Sequence, residues 1–296
     1  GEGLVSHAST PPSGITVQET FVAHSETPPS VQTTLGTPAS IGSDFDGDGD
    51  ADILTRNANT FGTTFLANDG SGRFSVATEH NITHHYAQNF FDTVLDVADF
   101  DGDGDVDYVT RDQSAFFVTY LNDGAGNFTE GQRTSIAGES DYVFLNSDIV
   151  AVDIDNNGDE DVITRDALDA NFSIYLNDGS GVFTFDRDIA TPHLSSNSGY
   201  GGIQLIAGDV NGDGNIDVIT QDEGSDNIHV FSNDGNRNFS RSDVYLDGSG
   251  TPDIDTAMGD LDGDNDLDLI TSSRRVDYVG APANLDFNIL LNDGTG

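Results

Sequence analysis

The sequence of 296 residues contains no cysteine, no lysine and no tryptophan, and only one methionine. Without cysteine, neither disulfides nor thiol chemistry can contribute. All ten basic residues are arginine, set against 52 acidic ones, for a formal charge of −42. So little positive charge leaves no basic stripe for a phosphate backbone, which argues against nucleic acid as a partner. No apolar run approaches the length of a transmembrane helix, so direct membrane insertion is not expected. No signal peptide is visible at the start, as for a chain that begins after its removal. A phosphate loop, zinc spacing and a supported Ser/His/Asp arrangement are missing too.

What is present is acid and glycine. Glycine occurs 34 times and hydrophobic residues make up only 35% of the chain, as expected for many short strands joined by tight turns. The five segments described next hold 22 aspartates, and five divalent ions would bring −42 only to −32. The rest of the surface is therefore acidic as well. Such a lysine-free, halophilic-looking surface resembles proteins of salt-loving or marine microbes, where salt screens the self-repulsion.

One loop is written five times. Asp44-Phe-Asp46-Gly-Asp48-Gly-Asp50-Ala-Asp52 has equivalents starting at Asp99, Asp153, Asp209 and Asp260. Oxygen side chains at loop positions 1, 3, 5 and 9, with glycine at 6 to permit a left-handed backbone, suit a hard cation that gathers six or seven oxygens. All five read as calcium sites. They are not EF-hands: position 12, which would need a bidentate Glu, is Thr55, Thr110, Thr164, Thr220 and Thr271. Each loop runs straight into paired apolar residues such as Ile53-Leu54 and Val162-Ile163, the mark of a buried strand rather than a helix.

About twenty residues on comes a second signature. Asn68-Asp69-Gly70-Ser-Gly72-Arg-Phe74 is matched by the segments starting at Asn122 and Asn177, and more loosely by Asn233-Asp234-Gly235-Asn-Arg-Asn-Phe239. Asn-Asp-Gly between apolar runs is a hairpin turn that supplies positive φ. The loop starts are 55, 54, 56 and 51 residues apart, and four strand signals per period point to propeller blades. With strands named A to D, the loop joins A to B and Asn-Asp-Gly joins C to D.

The fold class expected is all-β: a five-bladed β-propeller of four-stranded antiparallel blades. The fifth copy stops near Asn292-Asp293-Gly294, where its strand D is due, and Gly14-Ile-Thr-Val-Gln-Glu-Thr-Phe-Val-Ala23 looks like a strand D without its blade. Pairing the two would close the ring and leave no open edge. Residues 1–13 read as an N-terminal leader and 14–296 as a single propeller domain, with calcium loops at 44–52, 99–107, 153–161, 209–217 and 260–268.

The pattern D-x-[DN]-G-D-G-x-x-D with a later L-N-D-G-x-G-x-F resembles the FG-GAP or VCBS-type repeat, the calcium-loop blade of integrin α-subunit propellers, some lectins and many microbial surface proteins. The resemblance covers residues 38–296. It implies about five structural Ca²⁺, one per A–B loop. Their side-chain ligands would be Asp44, Asp46, Asp48 and Asp52; Asp99, Asp101, Asp103 and Asp107; Asp153, Asp155, Asn157 and Asp161; Asp209, Asn211, Asp213 and Asp217; and Asp260, Asp262, Asp264 and Asp268. Position 7, held by Asp50, Asp105, Asp159, Asn215 and Asp266, would lend its backbone carbonyl. The third and fourth loops, with three ligating carboxylates each, should bind more weakly, and Asn265 should tolerate the positive φ usually given to glycine.

Calcium loops and Asn-Asp-Gly turns share one face, nearly identical from blade to blade; the opposite face varies, as binding loops do. There Tyr86, Tyr142 and Tyr200, with Arg274 and Arg275 in the fifth B–C connection, form a candidate ligand-binding set suited to sugar stacking or a protein contact. Weak calcium sites fill at extracellular concentrations, so a secreted or cell-surface location follows. The function expected is a calcium-stabilised adhesion module recognising carbohydrate or a surface protein, as one module of a larger surface protein and not as an enzyme. The alternative is a polysaccharide-cleaving propeller, a glycosidase or lyase, with Asp92, Asp96, Asp148, Asp253 and Asp255 at the channel mouth.

Overall fold

The computed structural model describes residues 40–57, 62–80, 95–112, 116–136, 148–165, 171–191, 203–222, 227–245, 254–275 and 284–294. The chain divides into two units, Gly1–Gln32 and Thr33–Gly296, the first wholly outside the described residues. The leader and the closing strand expected over 14–23 therefore lie outside them too.

Nineteen strands and no helix are described. The first blade is β1 (Ser40–Ser43), β2 (Asp52–Asn57), β3 (Gly62–Asn68) and β4 (Phe74–His80). The second is β5 (Leu95–Ala98), β6 (Asp107–Asp112), β7 (Phe116–Asn122) and β8 (Phe128–Ser135). The third is β9 (Asp148–Val152), β10 (Asp161–Arg165), β11 (Asn171–Asn177) and β12 (Phe183–Ala190). The fourth is β13 (Ile203–Gly208), β14 (Asp217–Asp222), β15 (Asn227–Asn233) and β16 (Phe239–Tyr245). The fifth contributes β17 (Ile254–Gly259), β18 (Asp268–Arg275) and β19 (Asn284–Leu290). Within every blade sequential strands pair antiparallel, so the protein is a five-bladed propeller; the first four blades show all four strands and the fifth shows three.

Burial explains the sequence of each strand. The middle strands are covered on both faces, as in β10, buried at every position, and β11, buried at five of seven. Their near-continuous apolar runs follow, because a neighbouring blade lies against each face. The outer strand β12 is exposed or half-exposed beyond Phe183, and four of the seven residues there are polar. The bulges between strands C and D, at Phe65/Leu66, Val118/Tyr120 and Ile174/Tyr175, add local twist to the outer edge.

The core is divided among the seams between blades. Phe45, Leu54 and Phe65 of the first blade pack against Leu95, Tyr108, Val118, Tyr120 and Phe128 of the second. A similar cluster joins the second and third blades, another the third and fourth, and a smaller one the fourth and fifth. The phenylalanine after the Asn-Asp-Gly turn inserts into the preceding blade in the second, third and fourth blades: Phe128 lies edge-on to Phe45 and Phe65, Phe183 to Phe100 and Phe117, and Phe239 to Phe172, whereas Phe74 of the first blade is exposed. Burying such a ring contributes about 1.5–3 kcal/mol.

Two placements differ from the sequence reading. The A strands, read from the sequence as running to Phe100, Ile154 and Val210, stop two residues earlier at Ala98, Val152 and Gly208, because the first loop Asp already turns the chain. Arg274 and Arg275, expected in the fifth B–C connection, instead extend β18 and pair with Leu285 and Asn284. Serine and arginine continue the strand there because β19 offers backbone partners along its whole length.

Candidate metal centres at the A–B loops

Each loop is a hairpin connection closed by a register pair just outside it: Ser43 with Asp52, Ala98 with Asp107, Val152 with Asp161, Gly208 with Asp217 and Gly259 with Asp268. The position-1 aspartate organises the turn. In the second loop Asp99 Oδ1 accepts from the amides of Gly102 and Asp103, and Oδ2 from that of Gly104 at 2.9 Å. Position 5 accepts from the amide of position 7, as Asp48 does from Asp50 and Asn157 from Asp159. Positions 4 and 6 have positive φ in every loop, and where glycine is replaced the substitutes are Asn156 (φ 58) and Asn265 (φ 74). The tolerance expected of Asn265 is what is found.

The position-9 aspartates, Asp52, Asp107, Asp161, Asp217 and Asp268, are all buried. Each accepts two backbone amides, one from loop position 2 and one from the asparagine that opens the Asn-Asp-Gly turn. For Asp107 these come from Phe100 at 2.9 Å and Asn122 at 2.7 Å. Burial nevertheless dominates, pushing Asp107 up to about 6 and Asp161 up to about 7. Desolvation and neighbouring carboxylates also raise Asp46 and Asp101. Asp268 goes the other way, lowered by the amides of Asn292 and Leu261.

Three aspartates converge in each of four loops: Asp44, Asp46 and Asp48; Asp99, Asp101 and Asp107; Asp153, Asp155 and Asp161; Asp260, Asp262 and Asp268. In each set one oxygen per residue lies within 4.8 Å of the others. Two oxygens bound to one Ca²⁺ at 2.3–2.6 Å are at most about 5 Å apart, so the spacing fits such an ion. The fit has a second mark. Asp46 Oδ1, Asp101 Oδ1 and Asp155 Oδ1 are buried without a hydrogen-bond partner, although buried polar atoms are nearly always paired. All three are position-3 oxygens in loops whose carboxylates converge. In the fourth loop position 3 is Asn211, whose Oδ1 accepts from the Asp213 amide, and that loop gathers fewer acids.

Position 7 turns its side chain toward the glycine of the Asn-Asp-Gly turn, and Asn215 Nδ2 also donates back to Asp213 Oδ1. A Cβ added to Gly179 would lie 2.7 Å from Asp159 Oδ1, and Gly124, Gly235 and Gly294 face Asp105, Asn215 and Asp266 in the same way. These glycines also have positive φ, so the turn requires glycine twice over. The turn aspartates Asp69, Asp123, Asp178 and Asp234 accept local hydrogen bonds that lower them below the usual carboxylate range. This agrees with a structural turn.

The sequence reading missed two features of this face. First, the asparagine of Asn-Asp-Gly links blades. Asn122 Nδ2 donates to Val106 O in its own blade and to Phe45 O in the preceding one, at 3.1 and 2.8 Å. Asn177 repeats this with Glu160 O and Phe100 O, Asn233 with Ile216 O and Ile154 O, and Asn292 with Leu267 O and Val210 O. The available signal was an asparagine kept in all five copies, more than a turn alone requires. Second, loop position 2 is a plug: Phe45, Phe100, Ile154 and Val210 are buried in the seams.

The third loop carries a cation from the next blade. Arg237 stands where the other turns have Gly72, Gly126 and Gly181, at φ 60. Its guanidinium donates through one nitrogen to Asp155 Oδ2 at 2.9 Å and through Nε to Asp186 Oδ2 at 3.1 Å.

Of the candidate ligand-binding residues, Tyr86, Tyr142 and Tyr200 lie outside the described residues. Of the channel acids, Asp92 and Asp253 do as well. Asp96 accepts amides from Val97 and from Ala151 of the third blade; Asp148 accepts them from Ile149 and from Leu205 of the fourth. Both are raised by burial, Asp148 to about 6, with Asp96 adding to its shift. They therefore tie neighbouring inner strands together.

Comparison with solved structures supports this architecture. An Agrocybe aegerita lectin, described as specifically recognising non-reducing terminal N-acetylglucosamine, matches 87% of this chain and 67% of its own at 20% identity and TM-score 0.56. A protein from Lactobacillus plantarum matches 82% of this chain and 70% of its own at 10% identity and TM-score 0.52. At such identities the likeness is one of fold. A Photorhabdus luminescens Tc holotoxin pore also matches, but the chain spans only 12% of its length, and a TM-score of 0.47 bears no argument. No curated protein sequence matches significantly. The model of the FG-GAP-like repeat matches four times in overlapping spans, 44–110, 99–164, 153–220 and 209–271, most of the chain. This protein belongs to the FG-GAP-like repeat family.

Proposed function

We propose that this propeller is a binding module whose A–B loops hold structural Ca²⁺ and whose opposite face recognises carbohydrate or a surface protein. The observation that carries the metal reading is the pair of buried, partnerless oxygens on Asp46 and Asp101 beside converging carboxylates. Asp44, Asp46, Asp48 and Asp52, and the equivalent residues of the second, fourth and fifth loops, would hold the ion. Bound there, Ca²⁺ supplies positive charge and fixes the hairpin, so binding is coupled to folding. The protein's own part is already in place: position-1 and position-5 oxygens shape the turn, and position 9 anchors it in the seam.

The lectin likeness supports a carbohydrate ligand, and the blade-to-blade variation of the B–C and D–A loops supports that face as its place. A secreted or surface location agrees with loops filled at extracellular calcium. Asp96 and Asp148 direct both oxygens to backbone amides, which supports a non-catalytic role for them. The test is a glycan array with wild type and with Tyr86→Ala, Tyr142→Ala, Tyr200→Ala and Arg275→Ala. Loss of a wild-type signal in at least one variant is expected; identical binding by all would rule out the proposed face. Turnover of a polysaccharide that disappears in Asp148→Asn would favour the enzyme instead.

A further inference from the structure

We propose that Arg237 is an internal cation that holds the third A–B loop without a metal ion, making the seam between the third and fourth blades independent of calcium. The inference rests on the calcium reading of the other loops. Departures from the repeat concentrate at this seam: Asn156 and Asn157 replace Gly-Asp in the third loop, Asn211 and Asn215 replace Asp in the fourth, and Arg237 replaces a turn glycine. Three of them interact with the facing blade or each other. Asn156 Nδ2 donates to Asn215 Oδ1 across the seam at 2.9 Å, where Gly47 and Gly102 only abut a glycine carbonyl of the next blade. Arg237 spans Asp155 of the third loop and Asp186 of β12, while Arg187 donates to both Asp186 and Arg237 O.

The contact to Asp155 is on Oδ2, at a site where both side chains are largely withdrawn from water, 23% and 14% exposed. Oδ1 of the same carboxylate is buried without a partner, as in the first two loops, so the arginine is the one feature that distinguishes Asp155 from Asp46 and Asp101. A divalent ion bound there would sit within a few ångströms of a guanidinium that cannot lose its proton, and like charges at that range repel strongly in a poorly solvated place. The loop thus presents one carboxylate fewer at its ligand positions, although Glu160 keeps its acids at five, and already holds a positive partner. In the first two loops the equivalent turn position is a glycine of the next blade, Gly126 or Gly181, and brings no charge.

Hydrogen exchange read by mass spectrometry on the full chain, in saturating CaCl₂ and in excess EDTA, tests this. In wild type, EDTA should speed exchange of the segment 99–107 by about tenfold or more and change 153–161 by less than about threefold. Arg237→Gly, which restores the residue found in the four other copies of the turn and suits the positive φ, should make 153–161 respond as 99–107 does. Arg237→Lys keeps the charge and should stay close to wild type. The proposal is overturned if wild-type 153–161 responds as strongly as 99–107, or if Arg237→Gly leaves 153–161 insensitive. It is also overturned if that variant loosens 153–161 even in calcium, which would make Arg237 a support for the ion. If no loop responds to EDTA, the calcium reading itself fails, and with it any ion for Arg237 to replace.

Discussion

The second and third A–B loops share one backbone plan but balance their charge differently. Both hold five acids and a position-3 carboxylate with an unpartnered buried oxygen; in the second all five acids are aspartates and the facing turn offers only Gly181. In the third, asparagine replaces one aspartate and Arg237 reaches in from the next blade. The bond from the position-6 amide to the position-1 carboxylate survives in both. Geometry is thus set by the position-1 and position-9 aspartates together with the positive-φ residues. Charge balance is a separate layer, open to change from blade to blade.

The largest effect that would test this division is metal removal. If several loops hold Ca²⁺ at about a hundredfold above its dissociation constant, each contributes about 2.7 kcal/mol. At about 2–4 °C per kcal/mol, EDTA should lower Tm by on the order of 10 °C or more. Scanning calorimetry with and without chelator checks this, and an unchanged melt would remove calcium from the account.

Next come the seam asparagines, which should cost the same with or without calcium. Asn122→Ala strands two carbonyls, those of Phe45 and Val106, each worth about 1–3 kcal/mol when left unpaired in a buried place. We expect a loss of about 2–4 kcal/mol in urea unfolding. Asn68 donates to a single exposed carbonyl, Ala51 O, and Asn68→Ala should cost less than about 1 kcal/mol. Equal losses would mean that the link across the seam adds nothing.

The pH dependence extends the comparison to a buried acid outside the A–B loops, where burial outweighs the nearby Arg165. Asp148 is raised from 3.8 to about 6 by burial. A raised folded-state carboxyl contributes stability that is present below pH 4 and lost as pH rises through 6, here on the order of 2 kcal/mol. Asp148→Asn should therefore flatten the fall of Tm between pH 4 and 6 relative to wild type. A parallel curve would refute the assignment. Calcium's own stabilisation should grow over the same range, because its ligands bind unprotonated.

The smallest effect is a control for charge pairing in general. Arg241 pairs with Asp243 at 3.0 Å but is 42% exposed. Arg241→Ala should shift stability by less than about 0.5 kcal/mol, in contrast to the withdrawn Arg237.

Much of this was legible in the chain itself. The spacing of the Asp-rich copies marked the blades, the buried threonines at loop position 12 excluded an EF-hand, and Asn265 kept the left-handed geometry of the glycine it replaces. These are local matters, fixed by residues within one hairpin. Arg237 and Asn122 were not legible in their roles, since each acts on atoms roughly eighty residues away, 82 for Arg237 with Asp155 and 77 for Asn122 with Phe45. The end of β18 at Arg275 was missed because a polar strand end carries no apolar pattern when its pairing is all backbone.

The sequence alone determined the all-β repeat, the number of loops and the kind of atom each presents, because turn chemistry and strand alternation act over a few residues. Only the tertiary structure decided which carboxylate oxygens are left unpaired and which one meets an arginine. Those outcomes depend on how neighbouring blades face one another, and contacts between distant segments leave no period in the chain.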